Sequence, residues 1–350
     1  MDVAHGDEDR EEPARARRRG PRPDGAPTIS RVAEAAGVSR ATVSRVMNGS
    51  ATVAPELAAR VRAAAEALDY QPSVVARSLA LGRTGTVSLI VPDLGNPMFQ
   101  GVLRGLSQAV SADGCRLLVS ESAENVEEEV VLAIEARRRT DGLVLASPRM
   151  ADDRLLALAD KLAPFVLLHR ELPGCAMPSL SVDNTAGMEA IVAHLIGHGH
   201  RHLAYLAGPA ASTSNRERLA ALRASGLTLT ELACGPRFDD GHAAAPRVAG
   251  SGATAVVAFN DMVAFGLLSG LHELGLRVPE DVSVTGFDDI PFARFTNPPL
   301  TTASIPKNEL GRQAWTRLRA LIGGEPGGYN VRYQPRLLVR ESTGPARRTA

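Results

Sequence analysis

The chain has 350 residues, too many for one ordinary domain, and its 44% hydrophobic content is enough for a sizeable core. It contains no run of about 18 apolar residues that could span a membrane, and its polar N-terminal segment lacks the apolar stretch of a secretory signal. Its three cysteines have no C-x-x-C spacing, which argues against a disulfide framework. We therefore expect a cytoplasmic protein, and the formal net charge of zero does not by itself indicate a nucleic-acid partner.

The N-terminal quarter of the chain contains a polar segment followed by a helical one. Residues 1–26 carry an acidic and then a basic cluster and are predicted to be a disordered tail. Residues 28–69 have the apolar spacing of three short helices. Gly37 ends the first helix, and Ser39 is a favourable N-cap for the second. The third begins at Pro55, and the alanine before it is a poor N-cap that costs about 1 kcal/mol against Ser or Thr.

Two helices joined by a sharp turn predict a helix-turn-helix, whose second helix enters the DNA major groove. Arginines on that helix can chelate guanine, a contact worth roughly 1–3 kcal/mol of discrimination, and short polar side chains can bind phosphates. From residue 28 to residue 83 there are seven arginines and four acidic residues, a modest positive excess that a solvated helix face could also show. The candidate DNA-contacting residues here are Thr28, Ser39, Arg40, Ala41, Thr42, Ser44, Arg45 and Asn48.

From residue 87 onward, short β-rich runs alternate with helical stretches, which predicts an α/β fold with parallel sheets. The length suits two doubly wound sub-domains side by side, with a ligand crevice beyond the carboxyl ends of the strands. The predicted strands cover residues 87–91, 116–119, 142–146, 165–168, 203–207, 255–259 and 282–287. The helices named between them cover residues 99–111, 126–137, 188–196 and 262–274.

Several polar side chains come directly after these strands. Each one alone could be a helix cap or a turn residue. Their joint position on the ligand side of the sheets indicates a binding site instead. They are Asp93, Asn96, Ser212, Ser214, Arg218, Asn260, Asp261, Asp288 and Asp289.

The segment TISRVAEAAGVSRATVSRVMNG at residues 28–49 resembles the head of the LacI/GalR family of bacterial transcriptional regulators. The resemblance continues through residues 70–72, 76–79 and 82–85 and reaches Ser342. It implies a helix-turn-helix head, a hinge helix and a periplasmic-binding-protein-like body. In the family, the positions that match Arg40, Ala41 and Arg45 read bases, and Ala41 replaces a longer side chain often found there.

Residues 73–79 are too few for a stable isolated helix. The resemblance implies that they form a hinge helix which becomes ordered when two subunits pair on operator DNA. The residue matching Leu79 would then enter the minor groove and kink a base step, with Ala76 against the groove. Packing of Leu79 onto the body is the alternative.

The resemblance also assigns contacts to a small-molecule effector. Carboxylate, guanidinium, amide and aromatic groups suit a polyhydroxylated ligand such as a sugar, although a purine or another metabolite would use the same groups. His169 stands where the family often has Asp, and the segment 219–237 is several residues shorter. The implied effector-binding residues are Met98, Phe99, Ser212, Ser214, Arg218, Phe238, Asn260, Asp261 and Asp288.

The expected organisation is a tail, a DNA-binding domain at 27–72, a hinge and linker at 73–84, a body at 85–343 and a second tail at 344–350. Within the body, we expect one sub-domain at about 85–168 and 305–332 and another at about 169–304 and 333–343.

We expect a repressor that binds a palindromic operator as a homodimer. A binding protein without a transcriptional role and a sugar-metabolising enzyme are the alternatives. The enzyme is disfavoured because no catalytic set is visible. His198, His200 and His202 lack further ligands to complete a metal site. No cofactor is expected.

Overall fold

The computed structural model describes residues 27–49, 52–71 and 82–347. The chain divides into two compact units, Met1–Leu81 and Gly82–Ala350. We call the described residues of the first unit the head and those of the second unit the body. The predicted tail and hinge, including Ala76 and Leu79, lie outside the described residues.

The head contains three helices in its described residues: α1 (Ile29–Ala36), α2 (Arg40–Met47) and α3 (Pro55–Ala67). Gly37 ends α1 with a φ of 64°, a left-handed conformation that glycine adopts without strain. Ser39 caps α2 as predicted, since its Oγ accepts a hydrogen bond from Thr42 N at 3.1 Å. Local sequence signals therefore set the angle between α1 and α2.

The head core takes one fully buried valine from each helix, namely Val32, Val43 and Val61. Arg60 of α3 donates from Nη2 to Ala36 O at 2.6 Å and so satisfies a carbonyl at the end of α1. The three helices are thus held by apolar burial and by one hydrogen bond between α3 and α1.

The body contains two six-stranded sheets in its described residues. The first has the order β11-β5-β4-β3-β1-β2 and is parallel throughout. The second has the order β12-β10-β9-β8-β6-β7, and only its edge strand β12 is antiparallel. The strands of the first sheet are β1 (Thr86–Val91), β2 (Arg116–Glu121), β3 (Leu143–Ala146), β4 (Phe165–Leu168), β5 (Ser179–Val182) and β11 (Val331–Tyr333). Those of the second are β6 (His202–Ala207), β7 (Thr228–Ala233), β8 (Ala255–Ala258), β9 (Ser283–Asp288), β10 (Thr301–Ser304) and β12 (Arg336–Leu338).

Helices alternate with these strands, which confirms the α/β fold class predicted from the sequence. The inner strands β3, β4 and β8 are buried at every residue because helices cover both faces of a parallel sheet. The described body helices are α4 (Pro97–Ala112), α5 (Val126–Arg139), α6 (Asp152–Leu162), α7 (Asn184–Gly197), α8 (Thr213–Ala224), α9 (Phe238–Ala249), α10 (Asp261–Glu273) and α11 (Lys307–Ile322).

The division between the two sheets differs from the expected one. β5 pairs with β4 in the first sheet, so the chain passes to the second sheet after Val182 and not after residue 168. On the return, Tyr333 still pairs with Val182, and the chain enters the second sheet at Arg336. Sequence patterns did not predict β5 because Ser-Leu-Ser-Val is half polar, although the fold buries both serines.

Candidate ligand cleft and nucleic-acid interface

A cleft of about 430 Å³, a figure that includes its open mouth, lies between the carboxyl-end loops of the two sheets. We call it the central cleft. Its lining includes seven of the nine predicted effector-binding residues: Met98, Phe99, Ser212, Ser214, Arg218, Asn260 and Asp288. Asp93 and Asn96, also predicted from their places after β1, line it too.

Arg218 of α8 is the most deeply buried cation of the cleft, with 4% of its surface exposed. Its guanidinium lies 3.6 Å from the centre of the Phe287 ring. Its Nε donates to Asn184 Oδ1 at 2.9 Å, and its Nη1 donates to Phe259 O at 2.5 Å. Burial lowers the pKa of Arg218, and the charge of Asp288 opposes that shift. The fold therefore fixes this guanidinium in place before any ligand arrives.

Asp288, the last residue of β9, faces Arg218 across a gap that is too long for a hydrogen bond. Its Oδ1 lies 3.8 Å from Arg218 Nη2. Burial raises the pKa of Asp288 to about 6, while Arg218 and Lys307 lower it. The Nη2 amino group of Arg218 and the Asp288 carboxylate thus have unused hydrogen-bonding capacity.

The wall from the first sheet carries a second arginine, Arg149, which the sequence did not identify. Its guanidinium forms a two-point contact with Glu124, at 2.5 Å from Nε and 2.8 Å from Nη2, and Nη1 donates to Ser147 O at 2.8 Å. A fourth hydrogen bond joins Nη1 to Ser147 Oγ at 2.9 Å, so four of the five N–H groups are engaged and Arg149 has little capacity left for a ligand.

Two buried charges hold the loop that carries Arg149. Glu129 accepts from Arg149 N at 2.7 Å and from Met150 N at 3.4 Å. Arg170 donates from Nη1 to Pro148 O at 2.9 Å and to Met150 O at 2.5 Å. Glu129 therefore binds backbone N–H groups of this loop, and Arg170 binds its backbone carbonyl groups.

His169 is fully buried in the cleft wall, and its Nε2 has no hydrogen-bond partner among the described residues. Burial, together with the charges of Arg218, Arg149 and Lys307, lowers the pKa of His169 to about 3. The imidazole is consequently neutral at physiological pH, unlike the Asp that the family often has at this position.

Four non-glycine residues of the cleft wall have positive φ angles: Glu124 at 61°, Ser147 at 52°, His169 at 57° and Asp288 at 112°. Such conformations cost of order 1–3 kcal/mol each and tend to occur at functional sites. Their grouping here supports a ligand site, although no sequence pattern could have revealed it.

In the head, α2 presents Arg40, Ala41 and Arg45 to solvent and buries Val43 and Val46 in the core. Neither guanidinium forms a hydrogen bond or ion pair with another described residue. The other predicted DNA contacts that the structure describes, Thr28, Ser39, Thr42, Ser44 and Asn48, are exposed or half-buried, and several form hydrogen bonds within the head. Ser39 Oγ and Thr42 Oγ1 lie 2.9 Å apart, Asn48 Nδ2 donates to Ser44 Oγ at 3.3 Å, and Thr28 caps α1.

Comparison with known proteins gives matches to both units. Residues 28–73 match the model of bacterial regulatory proteins of the lacI family, and residues 192–343 match the periplasmic binding protein-like domain. The HTH-type transcriptional regulator GalS of Salmonella typhimurium is 33% identical over 80% of this chain and 85% of its own length. The HTH-type transcriptional regulator MalR of Streptomyces coelicolor is 34% identical over 91% of this chain and 97% of its own length.

The chain belongs to the LacI family. A crystal structure of the lac repressor dimer bound to operator and the anti-inducer ONPF is similar to this LacI-family chain, with a TM-score of 0.80 and 28% identity. The match covers 91% of this chain and 99% of the other. A complex of the transcriptional regulator CelR with cellobiose matches at a TM-score of 0.65 and 31% identity, over 90% and 99% of the two chains.

Two predicted effector contacts of this LacI-family protein do not line the central cleft. Asp261 is buried behind it, where its carboxylate accepts from Thr302 Oγ1 at 2.6 Å and from Ile290 N at 2.8 Å. Burial raises the pKa of Asp261 to about 8. Phe238 lies at the start of α9 in a neighbouring pocket. Asp261 is one residue past the N-cap of α10, and the helical rotation at that step turns it away from the cleft.

Asn260 lines the cleft, but both ends of its amide serve the fold. Its Oδ1 accepts from Val263 N at 2.9 Å, as an N-cap, and its Nδ2 donates to Pro236 O at 2.9 Å. The lining residues that sequence analysis did not propose as contacts are Glu124, Ser147, Arg149, His169, Pro236 and Phe259.

Within the described residues, no helix has the length and apolar character to cross a membrane. No group of three or more His, Cys, Asp or Glu side chains in that part of the chain could hold a metal ion.

Proposed function

We propose that this LacI-family protein is a sequence-specific transcriptional repressor. It binds a palindromic operator as a homodimer in the cytoplasm, and a sugar in the central cleft controls its affinity for DNA. The observation that carries the proposal is the pair of exposed arginines on α2, Arg40 and Arg45, which have no partner among the described residues.

The DNA half of the proposal follows from charge and geometry. DNA presents closely spaced phosphates, so arginines that are not neutralised within the head add directly to DNA affinity. Arg40, Ala41 and Arg45 project from the helix that a helix-turn-helix places in the major groove. Bidentate arginine contacts to guanine would read the sequence, and the Ala41 methyl group suits a thymine methyl. Half-site symmetry would come from two copies of the chain.

The effector half follows from the gap between Arg218 and Asp288. A ligand hydroxyl can bridge the two groups, since it can accept from Arg218 Nη2 and donate to the Asp288 carboxylate. At 3.8 Å the two groups do not form a hydrogen bond with each other. The rings of Phe99 and Phe259 provide apolar surface in the same cleft. Alternating apolar faces and hydroxyls are features of sugars. Solved LacI-family relatives bound to cellobiose and to ribose support this choice.

Coupling between the two halves would pass through the body sheets and the linker. A sugar in the central cleft contacts loops of both sheets, so it favours one relative orientation of the sheets over another. We propose that residues 73–84 transmit this change, with Ala76 and Leu79 at the minor groove. Because such coupling is reciprocal, operator DNA must change sugar affinity by the same factor.

The test is DNase footprinting of the purified chain on the promoter region of its own gene, with and without candidate sugars. Protection of a palindrome that a sugar relieves or strengthens supports the whole proposal. The absence of any protected palindrome at low salt contradicts the repressor role. Sugar binding without DNA protection favours a binding protein with no transcriptional role, and turnover of the sugar favours an enzyme. A response to purines alone contradicts the sugar assignment.

A further inference from the structure

Lys307 is one of two lysines in a chain that has 39 lysines and arginines together. Its ammonium group donates to three backbone carbonyl oxygens: Asp288 O at 2.5 Å, Asp289 O at 2.8 Å and, at a longer distance, Ile305 O at 3.5 Å. An ammonium group carries three donors on one atom, whereas a guanidinium group is a planar fork. The three carbonyl groups therefore form a site that suits lysine better than arginine.

The helix that carries Lys307 is fixed to the first sheet. α11 packs against β3, β4 and β5, and it also lies against α4. A Cβ on Gly105 of α4 would lie 2.0 Å from Asn308 O, so only glycine permits this approach of the two helices. The stem of Lys307 packs over Gly101 of α4, where an added Cβ would lie 2.8 Å from Lys307 Cβ. Because the first turn of α4 contains Phe99, Lys307 is held against a helix that lines one wall of the central cleft.

Two of the three carbonyl groups belong to the second sheet and the turn that follows it. Asp288 ends β9, and φ is positive both there, at 112°, and at Asp289, at 53°. Such backbone is strained in residues other than glycine, so it persists only where its surroundings hold it. Arg340 and Ser304 bind the Asp289 carboxylate, while Lys307 binds the backbone of both residues. The Asp288 carboxylate is the side chain of this turn that lines the cleft.

We propose that Lys307 is a positioning residue of the effector site. It ties the turn at Asp288, on the second sheet, to α4 on the first sheet, and so sets where the carboxylate lies relative to the opposite wall of the cleft. This inference rests on the proposed sugar-controlled function. Lys307 is not among the lining residues of the central cleft, so it acts on a ligand through Asp288 and not by contact. Its charge has a second effect, because Arg218 and Lys307 lower the pKa of Asp288 against the burial that raises it.

The experiment compares three variants of the full chain. Lys307→Met removes the donors and the charge, and Lys307→Arg keeps the charge but loses the three-donor geometry. Lys161→Met is the matched control, since it removes the other lysine of the chain, which is exposed on α6. None of these variants alters Arg218 or Asp261, the other charged groups that act on Asp288 or respond to it.

Two measurements on these variants need no sugar. The amide of Ile290 follows the turn and donates to Asp261, so its hydrogen exchange should accelerate at least about tenfold in both Lys307 variants. The pKa of Asp288, followed by carbon NMR of carboxyl groups and assigned with Asp288→Asn, should rise in Lys307→Met. It should stay near the wild-type value in Lys307→Arg and in Lys161→Met.

Isothermal titration with glucose, galactose, ribose, maltose and cellobiose measures the effect on binding. Both Lys307 variants should weaken the tightest-binding of these sugars by about 2- to 12-fold, the range of one hydrogen bond, and Lys161→Met should leave its affinity unchanged. In Lys307→Met, the pH below which affinity falls should also move upward with the pKa of Asp288. A role in folding alone would not move that pH.

The outcomes separate this inference from the proposed function. Full sugar affinity together with unchanged Ile290 exchange in Lys307→Arg would show that Lys307 acts by charge alone, and its positioning role would be wrong. Unchanged Ile290 exchange and an unchanged pKa of Asp288 in Lys307→Met would overturn the whole inference. If none of the sugars binds the wild-type chain, the sugar effector is wrong, while the two sugar-free measurements still decide whether Lys307 holds the turn.

Discussion

The head and the body use arginine in opposite ways. In the head, Arg40 and Arg45 project into solvent and bind no other described residue. In the body, Arg218, Arg149 and Arg170 are 4%, 5% and 2% exposed, and each donates to several fixed oxygens. The first arrangement keeps positive charge available for a polyanion, and the second uses it to hold loops and to aim a single donor at a small ligand.

This difference predicts which substitutions separate binding from folding. An exposed arginine that binds nothing in the free protein can be removed with little effect on stability. A buried arginine that stabilises its surroundings cannot, because its removal leaves oxygen atoms and an anion without partners.

The largest expected effect is on Arg218. Arg218→Ala should lower the free energy of unfolding by about 3–5 kcal/mol, because Asp288 and the Phe259 carbonyl lose their buried cation. Urea unfolding of the full chain measures this. Arg223→Ala, on the same helix, removes a solvent-exposed pair with Glu231 and should leave the free energy of unfolding nearly unchanged. Equal losses in the two variants would remove the distinction between buried and exposed arginines within the body.

The second-largest expected effect is a pH dependence of sugar affinity at the central cleft. The pKa of Asp288 is raised from 3.8 to about 6, so below about pH 6 its carboxyl is protonated and no longer accepts as an anion. Sugar affinity should therefore fall by up to about tenfold per pH unit below pH 6, measured by titration calorimetry between pH 5 and 7.5.

Folding stability has the opposite pH dependence, because the folded state binds the Asp288 proton more tightly than the unfolded state does. The stability contributed by Asp288 declines as pH rises from about 4 to about 6.

Asp288→Asn is the decisive variant because its amide does not titrate. Its sugar affinity should be weak and independent of pH over the same range. His169, with a pKa of about 3, is neutral throughout and cannot produce the transition. A pH dependence that persists in Asp288→Asn would assign the titration to another group.

Sequence patterns predicted the features that local chemistry determines. Gly37 and Ser39 set the turn and the start of α2, and both behave as expected. Apolar runs identified β1, β3, β4, β6, β8 and β9, and polar residues just after strands identified most of the central cleft. Each of these features depends on a few neighbouring residues, so a single sequence contains the information.

The features that were missed depend on contacts between distant segments. β5 and β10 contain buried serine and threonine, so they lack the apolar pattern of a strand. Ser147 has a positive φ where its N donates to Leu168 O at 2.8 Å, a contact between strand ends. Asp261 was assigned to the cleft because it follows β8, but helix geometry turns it towards Thr302. Strand ends therefore located the cleft but did not determine which side chains face it.

A smaller effect tests the head. Arg45→Ala should reduce the preference for operator over random DNA by roughly 1–3 kcal/mol, as expected for loss of one bidentate base contact. Its unfolding free energy should change by less than about 0.5 kcal/mol, in contrast to Arg218→Ala. Fluorescence anisotropy with both DNAs at one salt concentration measures the preference.

Arg62→Ala provides the control, since Arg62 is exposed on α3 and not on α2. It should change affinity for operator and random DNA by the same factor. If Arg45→Ala keeps the full preference for operator, the exposed face of α2 does not read bases.

The smallest effect concerns the cap of α3. Ala54 is the N-cap of that helix, with φ −52° and ψ 136°, and makes no side-chain hydrogen bond. In Ala54→Ser the hydroxyl can accept from Leu57 N, which should stabilise the head by about 1 kcal/mol. Hydrogen exchange of the α3 amides in the full chain should therefore slow by about fivefold. Ser39→Ala is the converse variant. It removes the existing cap of α2, so exchange of the α2 amides should accelerate by a similar factor. Since neither change alters Arg40 or Arg45, preference for operator should stay constant. Unchanged exchange in both variants would show that tertiary packing of Val32, Val43 and Val61, and not helix capping, limits opening of the head.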